Sequence, residues 1–110
     1  MKVLFDQGTP VPLRRALVGC DVQTAFELGW SRLRNGELIA AAEGAGFEVF
    51  VTTDRNLKYQ QNLTGRRMAL VVLMTTSWPR LQLALPEIRV AVTGAAPGTY
   101  VEVSAPAASR

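Results

Sequence analysis

The alternation of short apolar runs with helix-forming segments is the feature that most constrains the fold of this chain. The most continuous apolar runs are residues 2–5, 48–53 and 68–73, and turn or helix-start residues follow each of them. Runs of this length are typical of strands in parallel sheets, which helices cover on both faces. The order of segments therefore predicts a three-layer α/β/α fold with a mostly parallel central sheet, in which these three strands are interior neighbours.

The other predicted elements complete this alternation. They are a helix over residues 12–17, a strand over 20–24, a helix that Asn35 caps, a helix over 55–63 that Asp54 caps, a helix over about 80–92 that Pro86 either kinks or begins, and a strand over 98–103. Glycine, proline and capping residues separate these segments, as expected at the ends of helices and strands.

The length of the chain sets its domain organisation. It has 110 residues, which is enough for one hydrophobic core and too few for two. We expect a single domain over residues 1–104 and a flexible tail over residues 105–110. The longest apolar stretch has seven residues, from Met68 to Met74, and is too short to cross a bilayer. The amino terminus shows no signal-peptide pattern, so we expect a cytoplasmic protein.

The composition excludes several kinds of chemistry. The chain has no histidine and a single cysteine, Cys20, for which we expect a buried structural role. These counts exclude Ser-His and Cys-His catalysis, an intrachain disulfide and a multi-cysteine zinc site. Any metal site must use oxygen ligands, which suit Mg²⁺, Mn²⁺ or Ca²⁺.

Acidic residues follow two of the predicted interior strands. Asp6 comes directly after the first strand, and Asp54 ends the 48–53 strand with Asn56 two residues later. Glu37 lies in the first turn of the helix that begins near Asn35. Ligands of open α/β sheets bind outside the carboxyl ends of the strands, so we expect the three carboxylates to converge there. With one or two divalent ions they would activate a water molecule for phosphodiester hydrolysis.

Each acid also has a purely structural interpretation. Asp6 precedes Gly-Thr-Pro and fits an Asx-turn, while Asp54 fits a helix cap. Glu37 at a helix start is favourable through the helix dipole alone.

The charge balance favours a polyanionic partner. The net charge is +3, and residues 1–67 contain nine basic and seven acidic residues. A negative phosphate backbone needs flanking cations to approach an acidic pocket. We therefore expect six arginines around the pocket, namely Arg14, Arg15, Arg32, Arg34, Arg55 and Arg66.

Several motifs around these acids resemble the PIN-domain nucleases, most closely a small bacterial PIN-like branch. They are LFDQG.P with Asp6, the Gly29-Trp30 pair, NGEL at residues 35–38, TTD.N around Asp54, and YQQNL at residues 59–63. The resemblance extends from Met1 to about Trp78 and lies in the combination of motifs.

The resemblance implies a fold, an activity and partners. PIN domains are three-layer α/β/α proteins with a parallel sheet, often dimeric, and many are RNA-cleaving toxins that pair with an antitoxin. Their acidic centre corresponds to Asp6, Glu37 and Asp54, and their fourth position corresponds to Asn56, with Ser77 as a second candidate. The resemblance thus implies an Mg²⁺- or Mn²⁺-dependent ribonuclease that forms a homodimer. The missing fourth carboxylate points to a single-ion site or to weak activity.

Two other functions fit part of the pattern. A receiver domain also has acids after its first and third strands, but it needs an acidic pair where this chain has Asp6 and Gln7. It also needs a lysine after the fifth strand, and the only lysines are Lys2 and Lys58. The second alternative is a PIN-like module without catalysis that binds RNA or a protein. A measured divalent-ion site would distinguish the nuclease from this module.

Overall fold

Five parallel strands form the centre of the molecule in the computed structural model, which describes residues 1–57 and 66–106. They are β1 (Lys2–Phe5), β2 (Asp21–Thr24), β3 (Val49–Thr52), β4 (Ala69–Leu73) and β5 (Tyr100–Val103). Their order across the sheet is β2-β1-β3-β4-β5, and every neighbouring pair is parallel. The predicted α/β fold with a mostly parallel sheet is confirmed.

The three most apolar strands occupy the interior of the sheet, as predicted. Every residue of β3 and β4 is buried, and only Lys2 of β1 is not. The edge strand β2 instead alternates buried residues with more exposed ones, beginning with the exposed Asp21. A strand covered on both faces must be apolar throughout, whereas an edge strand tolerates polar residues.

The helices begin and end somewhat differently from the prediction. Within residues 1–57 and 66–106 they are a 3₁₀ helix (Val11–Ala16), α1 (Asn35–Gly44), α2 (Trp78–Gln82) and α3 (Leu85–Thr93). Asn35 is the first residue of α1, and the capping position belongs to Arg34. The expected helix over residues 80–92 is two helices, and Pro86 lies in the first turn of the second. Proline is tolerated there because the first helical N–H groups have no intrahelical acceptor.

Alternate residues of the strands contribute to two separate core layers. On one face, Phe5, Val51 and Val71 pack with Leu13 of the 3₁₀ helix and Ile88 of α3. On the other face, β-strand residues pack against the helix α1. This second core layer contains Leu4, Phe50 and Leu70 from the strands and Leu38, Ile39 and Ala42 from α1. This alternation produces the three layers, because successive side chains of a strand point to opposite faces.

The parallel sheet has two edges at which different loops lie. We define the carboxyl edge as the loops that follow the strands, residues 6–10, 25–34, 53–57, 74–77 and 104–106. We define the amino edge as the loops that precede the strands, residues 17–20, 45–48, 66–68 and 94–99. Because all five strands run in the same direction, the sequence position of a loop decides its edge.

The packed chain extends into the segment that was predicted to be a flexible tail. Ala105 is 8% exposed within the core, and the Arg80 guanidinium donates hydrogen bonds to the carbonyls of Ala105 and Pro106. Residues 107–110, most of the predicted helix over 55–63 and the YQQNL segment lie outside the described residues. In the described ranges, no helix has the length and apolar character needed to cross a membrane.

Candidate functional site

Asp6 lies at the carboxyl end of β1, where its neighbours hold its carboxylate in place. Its backbone N–H donates to the carbonyl of Val51 at 3.1 Å, which continues the pairing of β1 with β3. The Thr9 hydroxyl donates to Oδ1 at 2.7 Å, and the Thr52 hydroxyl donates to Oδ2. Thr9 and Thr52 are both buried, and the Asp6 carbonyl also accepts the Thr9 N–H at 3.3 Å, so Asp6 begins a turn that its carboxylate helps to hold.

Thr52 connects Asp6 to the second predicted site residue. Its hydroxyl donates to the Asp6 carboxylate and accepts a hydrogen bond from the backbone N–H of Asp54 at 3.0 Å. Because a hydroxyl is both donor and acceptor, one side chain fixes both segments. The last residue of β3 therefore ties together the loops that follow β1 and β3, as the sequence predicts for two neighbouring strands.

The Asp54 carboxylate also accepts a local backbone hydrogen bond, which fits its structural interpretation as a helix cap. Its Oδ1 accepts the backbone N–H of Asn56 at 3.0 Å, and its carbonyl accepts the N–H of Leu57 at 3.2 Å. This is an Asx-turn at the start of a helical segment. Asn56 itself is exposed at the carboxyl edge.

Glu37 lies on the first turn of α1, exposed to solvent. Its Oε1 accepts the backbone N–H of Arg34 at 3.2 Å, which satisfies one of the groups left unpaired at a helix start. Within residues 1–57 and 66–106, no group of three or more acidic or cysteine side chains is arranged to hold a metal ion. A cage made by Asp6, Glu37 and Asp54 together therefore stays a prediction.

Gly8 lies close to Thr53 in the loop that follows Asp6. A Cβ atom built on Gly8 would lie 2.6 Å from the Thr53 hydroxyl and 3.8 Å from Oδ1 of Asp6. A side chain at this position would therefore force the Thr53 side chain to move. The close approach of these loops keeps Asp6 near the Asp54 segment.

Two cavities flank Asp6 and Gln7. The larger has a volume of about 520 Å³ and the smaller about 170 Å³. The larger is lined by Asp6, Gln7, Thr9, Val11, Arg14, Thr24, Phe26 and Glu27. The smaller lies toward α1 and includes Trp30 and Leu38. A groove of about 700 Å³ between α3 and β5 contains none of the predicted site residues, so the chemistry points to the cavities at Asp6.

Arg14 lines the larger cavity in a bidentate ion pair. Its Nη1 donates to Oε2 of Glu27 at 3.2 Å, and its Nη2 donates to Oε1. The backbone N–H of Thr24 also donates to Oε1 of Glu27 at 2.9 Å. The hydrogen bond from Arg14, followed by that from Thr24, lowers the pKa of Glu27. The Nε of Arg14 is buried and has no acceptor among the described residues.

The other predicted arginines divide between the two edges. Arg32, Arg34 and Arg55 are exposed in carboxyl-edge loops, as expected for cations that flank the site. Arg15 is exposed but lines a different cavity, beside Trp78. The prediction for Arg66 is wrong, because this residue precedes β4 and lies at the amino edge, where it pairs with Glu43.

Two further expectations concern packing residues. Trp30 is half-buried and meets the Phe47 ring edge-on, with centroids 6.2 Å apart. Cys20, for which burial was expected, is only partly buried at the start of β2, where it packs against the core. The partners of the Asp6 carboxylate, Thr9 and Thr52, were missed, although Thr52 is a polar residue in an otherwise apolar strand and that was a usable signal.

Comparison with known proteins does not add a relative. No protein-family model matches the chain, and neither a curated protein nor a solved structure is similar enough to count as a match. The resemblance to PIN domains therefore rests on the sequence motifs.

Proposed function

We propose that this protein is a metal-dependent ribonuclease of the PIN type, which hydrolyses RNA phosphodiesters. The observation that carries the proposal is the hydroxyl of Thr52, which joins the Asp6 carboxylate to the Asp54 backbone at the ends of two neighbouring strands. Parallel sheets bind their ligands at this edge. A toxin role with an antitoxin partner and a homodimer belong to the same proposal through the PIN resemblance.

The oxygen ligands at this edge fit Mg²⁺ or Mn²⁺ if water and substrate phosphates complete the coordination of the ion. Mg²⁺ keeps several waters and commonly takes one or two protein carboxylates together with substrate phosphates, so a cage of three acids is not required. Each Asp6 oxygen accepts one hydroxyl hydrogen bond and keeps a further lone pair for an ion. Asp6 and Asp54 would hold the ion, and Glu37 and Asn56 would bind its waters.

Such an ion, when bound, lowers the pKa of a water ligand and neutralises charge on the phosphodiester. The residues of the chain have the remaining tasks. Thr9 and Thr52 orient the Asp6 carboxylate, as groups behind a metal ligand commonly do. Arg32, Arg34 and Arg55, exposed at the same edge, attract the phosphate backbone to a pocket that is itself acidic.

The proposal is tested by RNA cleavage in Mn²⁺ with EDTA as the stop. We expect Asp6→Ala and Asp54→Ala each to abolish cleavage. Asp21→Ala is the matched control, because Asp21 is an exposed aspartate at the first residue of β2, next to the amino edge. It should cleave as fast as the wild type. Equal rates in the wild type and in the Asp6→Ala, Asp54→Ala double variant would assign the activity to a contaminant.

Glu37 needs a substitution that separates its two possible roles. Glu37→Gln keeps an oxygen that accepts the Arg34 N–H and removes the negative charge. We expect a slightly lower melting temperature, because the charge no longer interacts with the helix dipole, and clearly weaker Mn²⁺ binding by calorimetry. Mn²⁺ affinity equal to that of the wild type would leave Glu37 as a helix cap alone.

A second function is favoured by one observation. Asn56 stands where the PIN resemblance expects a fourth carboxylate, which suits a PIN-like module that binds RNA or a protein without cleaving. This module would bind RNA equally well with and without Mn²⁺, and Asp6→Ala would leave its affinity unchanged.

A further inference from the structure

The larger cavity beside Asp6 has an exposed aromatic wall. Phe26 is 76% exposed and Val11 is 55% exposed, and both line the cavity of about 520 Å³. Large apolar side chains at the surface that meet in a concave site beside polar groups are typical of ligand sites. The volume also falls within the range for small organic ligands.

The turn that carries Phe26 is fixed by hydrogen bonds. The N–H of Ala25 donates to the Phe5 carbonyl at 2.9 Å, and the N–H of Gly29 donates to the Phe26 carbonyl at 3.1 Å. The Glu27 N–H donates to the Thr24 hydroxyl at 3.1 Å. Phe26 is therefore presented by a rigid segment, so a ligand that contacts its ring does not have to order the loop first.

Polar groups surround this aromatic wall. Arg14 and Glu27 form a mutually neutralised pair at one side, and Asp6 and the exposed Gln7 lie at another. A flat aromatic ligand with hydrogen-bonding edges fits a cavity lined in this way. A bare phosphate fits it less well, because Arg14 is already paired with Glu27. The exposed Arg32, Arg34 and Arg55 of the same edge are better placed to attract phosphates.

We propose that this cavity binds one unpaired base of single-stranded RNA, stacked on Phe26, next to the phosphodiester that is cut at Asp6. The position of the cut rests on the proposed ribonuclease function, whereas the base site does not. Aromatic side chains accept any base through its π-face, so recognition extends to all four bases. A base in a duplex is stacked and paired and cannot enter, so the site selects unpaired RNA.

Binding of short labelled RNAs, measured by fluorescence anisotropy in EDTA, tests the base site without cleavage. We expect Phe26→Ala to weaken binding of single-stranded RNA by about 5- to 150-fold, the range for loss of one base stack. Phe26→Trp should keep or raise the affinity. Val18→Ala is the control, because Val18 is 83% exposed at the amino edge, and it should bind as the wild type does.

An abasic RNA of the same length separates stacking from charge. Phe26→Ala should bind the abasic RNA as well as the wild type does, because the phosphates are unchanged. An equal loss on both RNAs would overturn the base site, and so would wild-type affinity of Phe26→Ala for the intact RNA. A lack of any RNA binding by the wild type would overturn it as well, and would leave a protein partner as the occupant of the apolar wall.

The two proposals fail in different ways. If the wild type does not cleave RNA in Mn²⁺ but its binding depends on Phe26, the ribonuclease proposal is wrong and the base site stands. If the wild type cleaves RNA and Phe26→Ala has the same KM and affinity, the base site is wrong and the ribonuclease proposal stands.

Discussion

Both edges of the parallel sheet carry acidic and basic side chains, but they use them differently. At the amino edge, Glu43 accepts hydrogen bonds from the Arg66 guanidinium and the Arg67 N–H. Lys2 donates to the Ala45 carbonyl and lies 4.4 Å from the centroid of the Phe47 ring. The charged groups of Glu43, Arg66 and Lys2 are therefore engaged with neighbouring residues of the fold.

At the carboxyl edge the charges stay accessible. The Asp6 carboxylate accepts hydrogen bonds from two threonine hydroxyls, and among the described residues it has no ion-pair partner. Arg32, Arg34 and Arg55 are exposed in other loops of the same edge. The same edge holds both cavities next to Asp6. The proposed ribonuclease site and the proposed base site both lie at the carboxyl edge, so the predictions below test this difference between the edges.

The orientation of α1 reinforces the difference. Glu43 lies in the last turn of α1, where the partial negative charge of the helix end disfavours an acid. The ion pair with Arg66 offsets that repulsion. The opposite end of α1 points its unpaired N–H groups toward the carboxyl edge, where one of the acids, Glu37, lies in the first turn. An acid at the amino edge therefore needs a cation, whereas an acid at the start of α1 does not.

The largest expected difference between the edges is in the cleavage rate after loss of one threonine hydroxyl at each edge, from Thr52 and from Thr99. Thr52→Val keeps the shape of the side chain but removes the hydroxyl that joins Asp6 and Asp54. We expect cleavage to fall by about 10- to 100-fold, as on loss of a group that orients a metal ligand. The partly buried N–H of Asp54 would also lose this hydrogen bond, which lowers the free energy of unfolding by about 0.5–1.5 kcal/mol.

Thr99→Val is the matched control for this experiment. The Thr99 hydroxyl donates to the Ala96 carbonyl at 2.6 Å in an exposed amino-edge turn. Its loss should leave the cleavage rate unchanged. If Thr52→Val cleaves as fast as Thr99→Val, the two edges do not differ in function at these positions.

Substitution of Arg66 should lower the stability of the protein and leave its activity on RNA unchanged. The side chains of Arg66 and Glu43 are 26% and 16% exposed, so Arg66→Ala leaves a largely buried carboxylate without its partner. We expect the free energy of unfolding, from urea titration, to fall by about 1–3 kcal/mol. RNA affinity and cleavage per folded molecule should stay at wild-type values. Lower RNA affinity of Arg66→Ala would mean that Arg66 contacts the RNA after all.

The pH dependence of stability sharpens the same contrast. Burial raises the pKa of Glu43, but the hydrogen bonds from Arg66 and from the Arg67 N–H outweigh it, and the pKa lies below the usual 4.5. A lowered carboxyl pKa adds stability that is fully present above pH 4.5 and is lost as the pH falls through the lower value. Glu43→Gln should therefore flatten the acid limb of the melting-temperature profile. An unchanged acid limb would show that the Glu43 pair contributes nothing to stability.

The interior of the fold was predictable because burial leaves a direct trace in the sequence. β4 is buried at every position, and its unbroken apolar run could fit only a strand covered on both faces. The break between α2 and α3 was less clear, since Pro86 is compatible with a kink or a start. The sequence could in principle have predicted at which edge of the sheet Arg66 lies, because a residue that directly precedes a parallel strand must lie at the amino edge.

The site was only partly predictable, for a different reason. The positions of Asp6 and Asp54 at the ends of β1 and β3 were predictable, because strand ends are visible in the sequence. The exposure of Phe26 was not predictable, because a single phenylalanine in a turn is compatible with either burial or exposure. The hydrogen bond from Thr52 joins residues 46 positions apart, so its polar position in an apolar strand could mark Thr52 but not its partner. Thr9 lies three residues after Asp6, where a local turn argument could have found its hydroxyl bond.

The smallest expected difference concerns single arginines and salt. Arg55 at the carboxyl edge and Arg67 at the amino edge are both exposed, so each substitution to alanine removes one surface charge without disturbing the core. If Arg55 contacts one phosphate of single-stranded RNA, Arg55→Ala should reduce the slope of log affinity against log salt by about 0.7. Arg67→Ala should leave this slope unchanged, because only released counterions contribute to it. Equal slopes in the two variants would mean that RNA affinity depends only on the net charge of the protein. The proposal that the carboxyl edge binds the phosphate backbone would then be wrong.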